Sequence, residues 1–493
     1  MENGWFEMLR RVFHGSRNRM RGVELLLVGF LIFTLAGCAS SRFSEKHGKV
    51  YQQAVQASQN DKPAMAAAAA YHYLQGATVD DPKYDRALRV MARNAERLGL
   101  SYAASLWFLD IARSRRNVEL VDDAVAGLER IIKEYPYDRR TILDGFLATA
   151  DISGLAPAQQ AFVSFEQGTD SFQRGLQKWG LDSFKQIPEN NAYRLRAKYV
   201  LAARRLARYE LNKGRKSLEE LLDEDLPRDL ETKVHRTLAR TEFEVQNYER
   251  ALEHYRAIQD RAPEHPRLLL EMAWSHYYLG HYKRALGLLI ALDAPVYREL
   301  IAPRRYLLEA LALRKICQFG PARKAAIRLE QRHGDALDDL YRGMPLDRSK
   351  SLRQAAGLRA GGRAIAEFRD RIEAEQKMLD KFAKKLGPKL TKRLRAIYEQ
   401  GVSEARRREN EQLQDEMQQL AQELLSAEEG VRLILHELGV ALLRGQRGST
   451  LTEGGNPIES IGPRKRIIYR FNGEFWTDEL DDLVVRMEDR CIE

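Results

Sequence analysis

The thiol of Cys38 is the group this sequence best equips for chemistry. It follows Leu35, Ala36 and Gly37. Small residues there let a peptidase reach the backbone, and a cysteine, once a thiolate, is a strong nucleophile. Other candidates fail on spacing. His436-Glu437 opens like a zinc-protease helix, but the second histidine belongs four residues after the first, where Val440 stands. The glycines from Gly445 to Gly455 run into neither Lys-Ser nor Lys-Thr, and no Gly-x-Ser-x-Gly elbow occurs, so phosphate-loop and hydrolase chemistry are not indicated. Asp122-Asp123 and Asp338-Asp339 could imitate the two carboxylates of a glycosidase. They fall on expected helices or loops without a cleft, where solvation is the ordinary role. The ten histidines are scattered and offer no paired ligands. The expectation is therefore no catalytic residue, no metal and no cofactor.

Cys38 closes a leader. Arg17, Arg19 and Arg21 precede the apolar segment Leu25 to Ala36, twelve residues long, where a spanning helix needs roughly twenty. Residues 1–37 read as a signal peptide, with translation starting at Met1 or at Met20. Leu35-Ala36-Gly37-Cys38 resembles the bacterial lipoprotein lipobox. The resemblance implies a diacylglyceryl group on the Cys38 sulfur, cleavage before it and acylation of the new amino terminus. Two or more acyl chains make anchoring stable. In the lipoprotein sorting pattern, Ala39 in place of Asp implies the outer membrane, with the domains on its periplasmic face. Inner-membrane retention is the alternative. Residues 38–47 form the lipidated tether.

The elements behind the leader are expected to be helical. A chain of 493 residues exceeds a single core, and 44% apolar with 30% charged residues is globular composition. Only 15 prolines, with abundant Ala, Leu, Arg and Glu, point to an all-α fold. Loss of the leader removes five arginines and three glutamates, so the charge falls from +10 to +8. That excess suits anionic lipid, cell wall or simple solubility, and no nucleic-acid partner is expected. With Cys38 lipidated, Cys317 and Cys491 remain. An oxidising compartment permits a bond between them, but they lie 174 residues apart. Free, partly buried thiols are the default.

Internal periodicity is the most informative signal. Leu238, Ala239, Tyr248 and Ala251 return as Met272, Ala273, Tyr282 and Ala285, each displaced by 34 residues; Tyr255 likewise returns as Leu289. Small residues let two antiparallel helices approach, the aromatic plugs the turn between them, and Pro263 ends the second helix. This pattern resembles the tetratricopeptide repeat, clearest over 232–265 and 266–299. Phe319 and Ala322 repeat it after a slip of three residues, and Ser217 with Leu221 takes the upstream position. A further copy involves Ala92, Gly99, Ala104 and Phe108. Phe162, Phe165, Phe172, Trp179 and Phe184 fit repeat packing without the full pattern. The domains expected are degenerate helical repeats at 48–195 and tetratricopeptide repeats at 196–342. Trp274, Tyr277, Tyr278 and Tyr282 either fill the core or line a concave groove for a peptide or helix of a partner. Leu238, Ala239, Tyr248, Ala251, Tyr255, Pro263, Trp274, Tyr278, Tyr282, Ala285, Phe319 and Ala322 are the repeat-defining or groove candidates.

Gly343, Gly357, Gly361 and Gly362 mark residues 343–362 as a linker. Over 363–445, apolar residues at spacings of three and four (Ile365, Phe368, Ile372, Leu379, then Leu413, Met417, Leu420, Leu424) sit among charges. This reads as a coiled coil or helical hairpin. Gly387-Pro388 breaks it into two arms. Gly401 and Gly430 could shorten the second, which would otherwise extend roughly 85 Å from Lys389 to Arg444. The coil offers partners a charged face and a route to homo-oligomers. The tail, 446–493, has a glycine-rich loop and a segment of β character holding Tyr469, Phe471, Phe475 and Trp476, candidates for docking. It is similar to the closing segment of tetratricopeptide-repeat lipoproteins of gliding-motility and envelope-spanning complexes.

These readings predict a membrane-anchored scaffold that joins envelope proteins through its groove and coil, with gliding motility as the implied setting. An assembly factor for outer-membrane β-barrels or secretins is the alternative. A cell-wall enzyme is the reading of another class.

Overall fold

The computed structural model describes residues 45–443, apart from 136–137, 144, 147–149, 260–264, 294–296 and 298–301, together with 458–460 and 483–492. Its backbone packing separates two compact units. One holds Asn3–Val200 and Glu367–Arg407, the other Leu201–Ala366 and Arg408–Glu493. No helix among the described residues is long and apolar enough to cross a membrane.

Helix pairs dominate both. The first unit contains α1 (Glu45–Gln59) with α2 (Pro63–Gly76), α3 (Tyr84–Arg97) with α4 (Ser101–Ser114), then α5 (Val121–Glu134), α6 (Arg139–Leu143), and α7 (Pro157–Gln173) with α8 (Gln177–Lys185). From α9 (Ala192–Ala207) the pairs continue as α10 (Leu211–Leu222), α11 (Arg228–Glu244) with α12 (Tyr248–Ala257), α13 (His265–Tyr278) with α14 (Tyr282–Ala291), and α15 (Arg304–Lys315) with α16 (Phe319–Tyr341).

One turn recurs. Two places before the second helix of a pair, a residue takes a left-handed conformation: Asp61, Gly99, Gly175, Tyr209, Gln246, Gly280 and Cys317, with φ between 52° and 81°. The packing rule recurs with it. Nine places before each of these second helices stands a small residue (Ala54, Ala92, Gly168, Ala202, Ala239, Ala273, Ala310), and three places into the helix stands another (Ala66, Ala104, Gly180, Gly214, Ala251, Ala285, Ala322). All are buried. Small residues at both points let the two helix backbones close on one another, which larger side chains would hold apart. Gly214, and not the expected Ser217, takes this position in α10, because the preceding turn places the helix start at Leu211. In α7 and α8 glycines replace the alanines, and a phenylalanine of the opposite helix fills each gap. A Cβ on Gly168 would come within 2.3 Å of the Phe184 ring, and one on Gly180 within 2.6 Å of Phe172. Phe162, Phe165, Phe172 and Phe184 are buried there, but Trp179 is 71% exposed and fills no core.

Residues 343–362, expected as a linker, are instead ordered structure. They hold α17 (Lys350–Leu358), capped by the Ser349 hydroxyl, which accepts from the Leu352 N–H. Leu352 and Ala356 are fully buried. A long helical stretch follows, α18 (Ala360–Leu443), broken at Gly387, whose φ of 76° and ψ of 162° are not helical. Glycine tolerates that conformation, and Pro388 starts the second arm with its missing N–H at no loss. The arms fold back on each other: Arg395 meets Asp380 at 2.9 Å and Arg406 meets Glu373 at 3.0 Å.

The arms are not a free coiled coil, since their apolar faces are covered by the chain's own helices. In the first unit Phe368, Ile372 and Leu379 are buried. In the second, Leu413, Met417, Leu420 and Leu424 share one core with Ala336, Leu337, Leu352 and Ala356, while Ala427, Val431, Ile434 and Leu438 join Leu307, Leu313 and Phe319 in another. Of the two readings, coiled coil or helical hairpin, the packing is that of a hairpin whose apolar seam is covered from within the chain. Gly401 and Gly430 do not shorten the second arm. They are points of close approach, where a Cβ would stand 2.4 Å from the Tyr102 ring and 2.8 Å from Leu307 respectively.

At the C-terminal end, β1 (Ile458–Ser460) pairs antiparallel with β2 (Leu483–Val485). Cys317 and Cys491 are bonded, with Cα atoms 5.2 Å apart, contrary to the expectation of free thiols. Sequence distance was a poor guide because the Arg490 N–H donates to the Ile316 carbonyl at 3.2 Å, and the Gln318 side chain donates to the Glu488 carbonyl at 2.9 Å. The end of the chain thus returns to the turn between α15 and α16.

Candidate protein-docking surface

The second unit carries an aromatic ladder on α11–α14. Tyr248 and Tyr278 stack with centroids 4.9 Å apart. Trp274 lies 6.0 Å from Tyr278, and Phe243 meets both tyrosines edge-on, at 5.3 Å from Tyr248 and 5.6 Å from Tyr278. Tyr277 links Trp274 to Tyr282, at 6.1 and 5.5 Å. Helical spacing explains the gathering. Trp274, Tyr277 and Tyr278 lie at spacings of three and four on α13, and Phe243 comes 34 residues before Tyr277. That displacement was the signal by which Phe243 could have been found.

The ladder is only half covered. Tyr278 is 46% exposed, and Phe243, Tyr248, Trp274 and Tyr277 are half-buried. Burial raises the hydroxyl pKa of Tyr248, Tyr277 and Tyr278, so all three stay neutral donors. Burial also raises the Glu244 carboxyl beside them. A surface of amphipathic rings with neutral hydroxyls suits protein contact, because it offers apolar area at low entropic cost and donors at the rim.

A charged brace joins α11 and α13, two of the helices that carry the ladder. Arg240 donates to both oxygens of Glu271, at 2.5 and 3.0 Å, and Arg236 approaches at 3.4 Å. Burial pushes the Glu271 carboxyl up, but the guanidiniums of Arg240, Arg236 and Arg267 outweigh it and hold its pKa below the usual carboxylate value.

The candidate residues divide into two groups. Leu238, Ala239, Ala251, Tyr255, Ala285 and Ala322 are fully buried and Phe319 is 8% exposed, so they build the repeats and are closed to a partner. Tyr248, Trp274 and Tyr278 come together at the surface, while Tyr282 turns toward the core around Leu307 and Phe319. Cys38, Pro263, Tyr469, Phe471, Phe475 and Trp476 lie outside the described residues. One pair of histidines that sequence separation hid does meet: the Nδ1 atoms of His235 and His254 are 3.1 Å apart. Among the described residues no group of three metal-ligating side chains accompanies them.

No protein-family model matches the chain, and no curated protein matches it. Among solved structures it is similar to yeast Tom70, at 14% identity over 82% of this chain and 90% of that one, with a TM-score of 0.28. It is similar to the TPR domain of P58(IPK) at 12% identity over 82% and 99%, TM-score 0.19. A circular tandem repeat protein with novel repeat topology gives 15% identity over 82% and 98%, TM-score 0.13. Overlaps this loose add nothing to the geometry above. By its repeated turn and its paired small residues, the chain is an all-α stack of tetratricopeptide-like helix pairs joined to a long helical hairpin.

Proposed function

We propose that this chain is an adaptor without catalytic chemistry, held by a lipid on Cys38 at the periplasmic face of the outer membrane, that gathers protein components of an envelope complex. The observation that carries the reading is the half-exposed ladder of Phe243, Tyr248, Trp274 and Tyr278 on stacked helix pairs, a preformed surface of the kind that binds a peptide or helix. The leader ending at Cys38 supports the address, and the tail's similarity to gliding-motility lipoproteins supports that setting.

The test is in cells. A photo-crosslinking residue at position 278 is expected to give discrete protein adducts that disappear with Trp274→Ala, and radioactive palmitate is expected to label the chain unless Cys38 is replaced by Ser. Absence of adducts sinks the docking surface, and an unlabelled chain sinks the anchor. Depletion of one β-barrel or secretin on deletion of the gene would move the reading to an assembly factor.

A further inference from the structure

The hairpin turn is bracketed by charge. From Lys381 to Tyr398 the sequence holds seven cations and no acidic residue. Lys381, Lys384 and Lys385 come from the first arm, and Lys389, Lys392, Arg393 and Arg395 from the second. All seven are exposed, while Leu386, Leu390 and Leu394 are buried, so the helical period turns the charges outward on both arms. Arg395 is balanced by Asp380 at 2.9 Å. Among the described residues the other six have no acidic partner. An open notch beside Gly387 is lined by Lys384, Thr391, Lys392 and Arg395, with Glu399 as its single acidic residue. Such a set repels itself, and the flanking carboxylates Asp380 and Glu399 balance only a minority of its seven charges.

We infer that this tip is an electrostatic contact for the anionic headgroups of a phospholipid bilayer. Five of the seven cations are lysines, compact hydrated charges on flexible stems that follow a fluid array of phosphates, whereas fixed bidentate recognition favours arginine. A protein partner needs an apolar centre within its footprint, and no large apolar side chain between 381 and 398 is exposed. Single-stranded nucleic acid needs rings on which to stack, but Tyr398 is buried and Phe382 is half-buried. The inference does not rest on the acyl group at Cys38. A polybasic contact and a lipid anchor are separate contributions to membrane residence, each measurable without the other.

The test uses the full chain carrying Cys38→Ser, so that no acyl group contributes, and compares vesicles of phosphatidylcholine with vesicles that also contain phosphatidylglycerol. The expected result is an increase in bound protein of at least about tenfold on the anionic vesicles at low salt, lost at high salt. Replacing Lys381, Lys384, Lys385, Lys389, Lys392 and Arg393 by Gln should abolish the increment. A milder variant, Lys384→Gln with Lys389→Gln, guards against misfolding and should give an intermediate value. Replacing Lys62, Lys178, Lys185, Lys213, Lys216 and Lys350 by Gln removes the same charge elsewhere and should leave the increment intact. Equal binding to both vesicle types, an increment retained by the six-Gln tip variant, or one equally lost in the distant set overturns the inference. Tighter binding to single-stranded DNA than to the same phosphate concentration on vesicles overturns it in favour of a nucleic acid.

Discussion

The two compact units use one helix pair but are closed by different chemistry. In the first, the carboxylate of Glu375, fully buried, accepts from the Tyr398 hydroxyl at 2.8 Å, the Tyr102 N–H at 2.9 Å and Arg371 Nε at 3.1 Å. Tyr102 is the second residue of α4, so an acid of the hairpin satisfies a helix N-terminus whose N–H groups have no partner within the helix. The second unit is closed by the apolar seam from Leu413 to Leu438, by the Cys317–Cys491 bond and by the partly buried pairing of Arg359 with Glu416 at 2.8 Å and Glu423 at 2.9 Å. The repeat motif sets how two helices meet. It leaves open how a stack of pairs is finished.

The largest expected break falls on the first unit. Glu375→Ala leaves a buried hydroxyl, a helix N–H and a guanidinium without their acceptor, and should destabilise that unit by about 3–5 kcal/mol. Glu375→Gln keeps an acceptor oxygen and should cost roughly half as much. Hydrogen exchange resolved by peptide is the measurement: α4 should lose protection while α12 keeps it. Equal loss in both would erase the distinction between the units.

The converse variant is Cys317→Ser, which opens a loop of 174 residues and should destabilise the second unit by about 2–4 kcal/mol. Limited proteolysis should then cut near Arg486 and Arg490 before any site in α1–α4. A bond that only decorates the surface would leave that cleavage order unchanged.

Acid should separate the units by a smaller amount. Burial lowers the pKa of His254, His276 and His333 from 6.5 to about 4, and all three lie in the second unit. Between those values the unfolded chain binds more protons than the folded one, so stability is complete above 6.5 and falls as the pH drops toward 4. Down to pH 5 the loss is on the order of 1–2 kcal/mol per ring. In the first unit burial raises the pKa of Glu166 and Asp110, which has the opposite sign. Unfolding followed at pH 7 and pH 5 should therefore weaken protection in α12, α13 and α16 first.

The same contrast explains what could be read from the sequence. The pairs α11/α12 and α13/α14 were legible because alanines and tyrosines recur at a constant displacement. The pair α7/α8 was not, because Gly168 and Gly180 meet phenylalanines in place of the usual partners, although the geometry is unchanged. The turn itself stayed hidden, since Asp61, Tyr209, Gln246 and Cys317 adopt a conformation usually left to glycine. Periodicity showed that one face of the hairpin was apolar but could not say what covers it. Of the aromatic ladder, Tyr248, Trp274 and Tyr278 were among the candidates read from the sequence, and Phe243 was not. Of the two roles open to Leu238, Ala239 and Tyr255, their burial leaves the repeat-defining one, because the residues that define a repeat are the ones it buries.

The finest test of the comparison lies in the glycines of the second arm. Alanine is favoured over glycine inside a helix by about 1 kcal/mol, so an unopposed change should stabilise. Gly439, with nothing within 4 Å of its missing Cβ, should gain most of that amount as Gly439→Ala. Gly401→Ala drives a Cβ to within 2.4 Å of Tyr102, a ring only 6% exposed, and overpacking of about 1–3 kcal/mol should leave a net loss. Gly430→Ala meets the branched end of Leu307 at 2.8 Å, which yields more easily than a ring, and should fall between them. Denaturation midpoints in the order Gly439→Ala, Gly430→Ala, Gly401→Ala, from highest to lowest, would place the tighter closure in the first unit. A reversal of the last two would move it to the second.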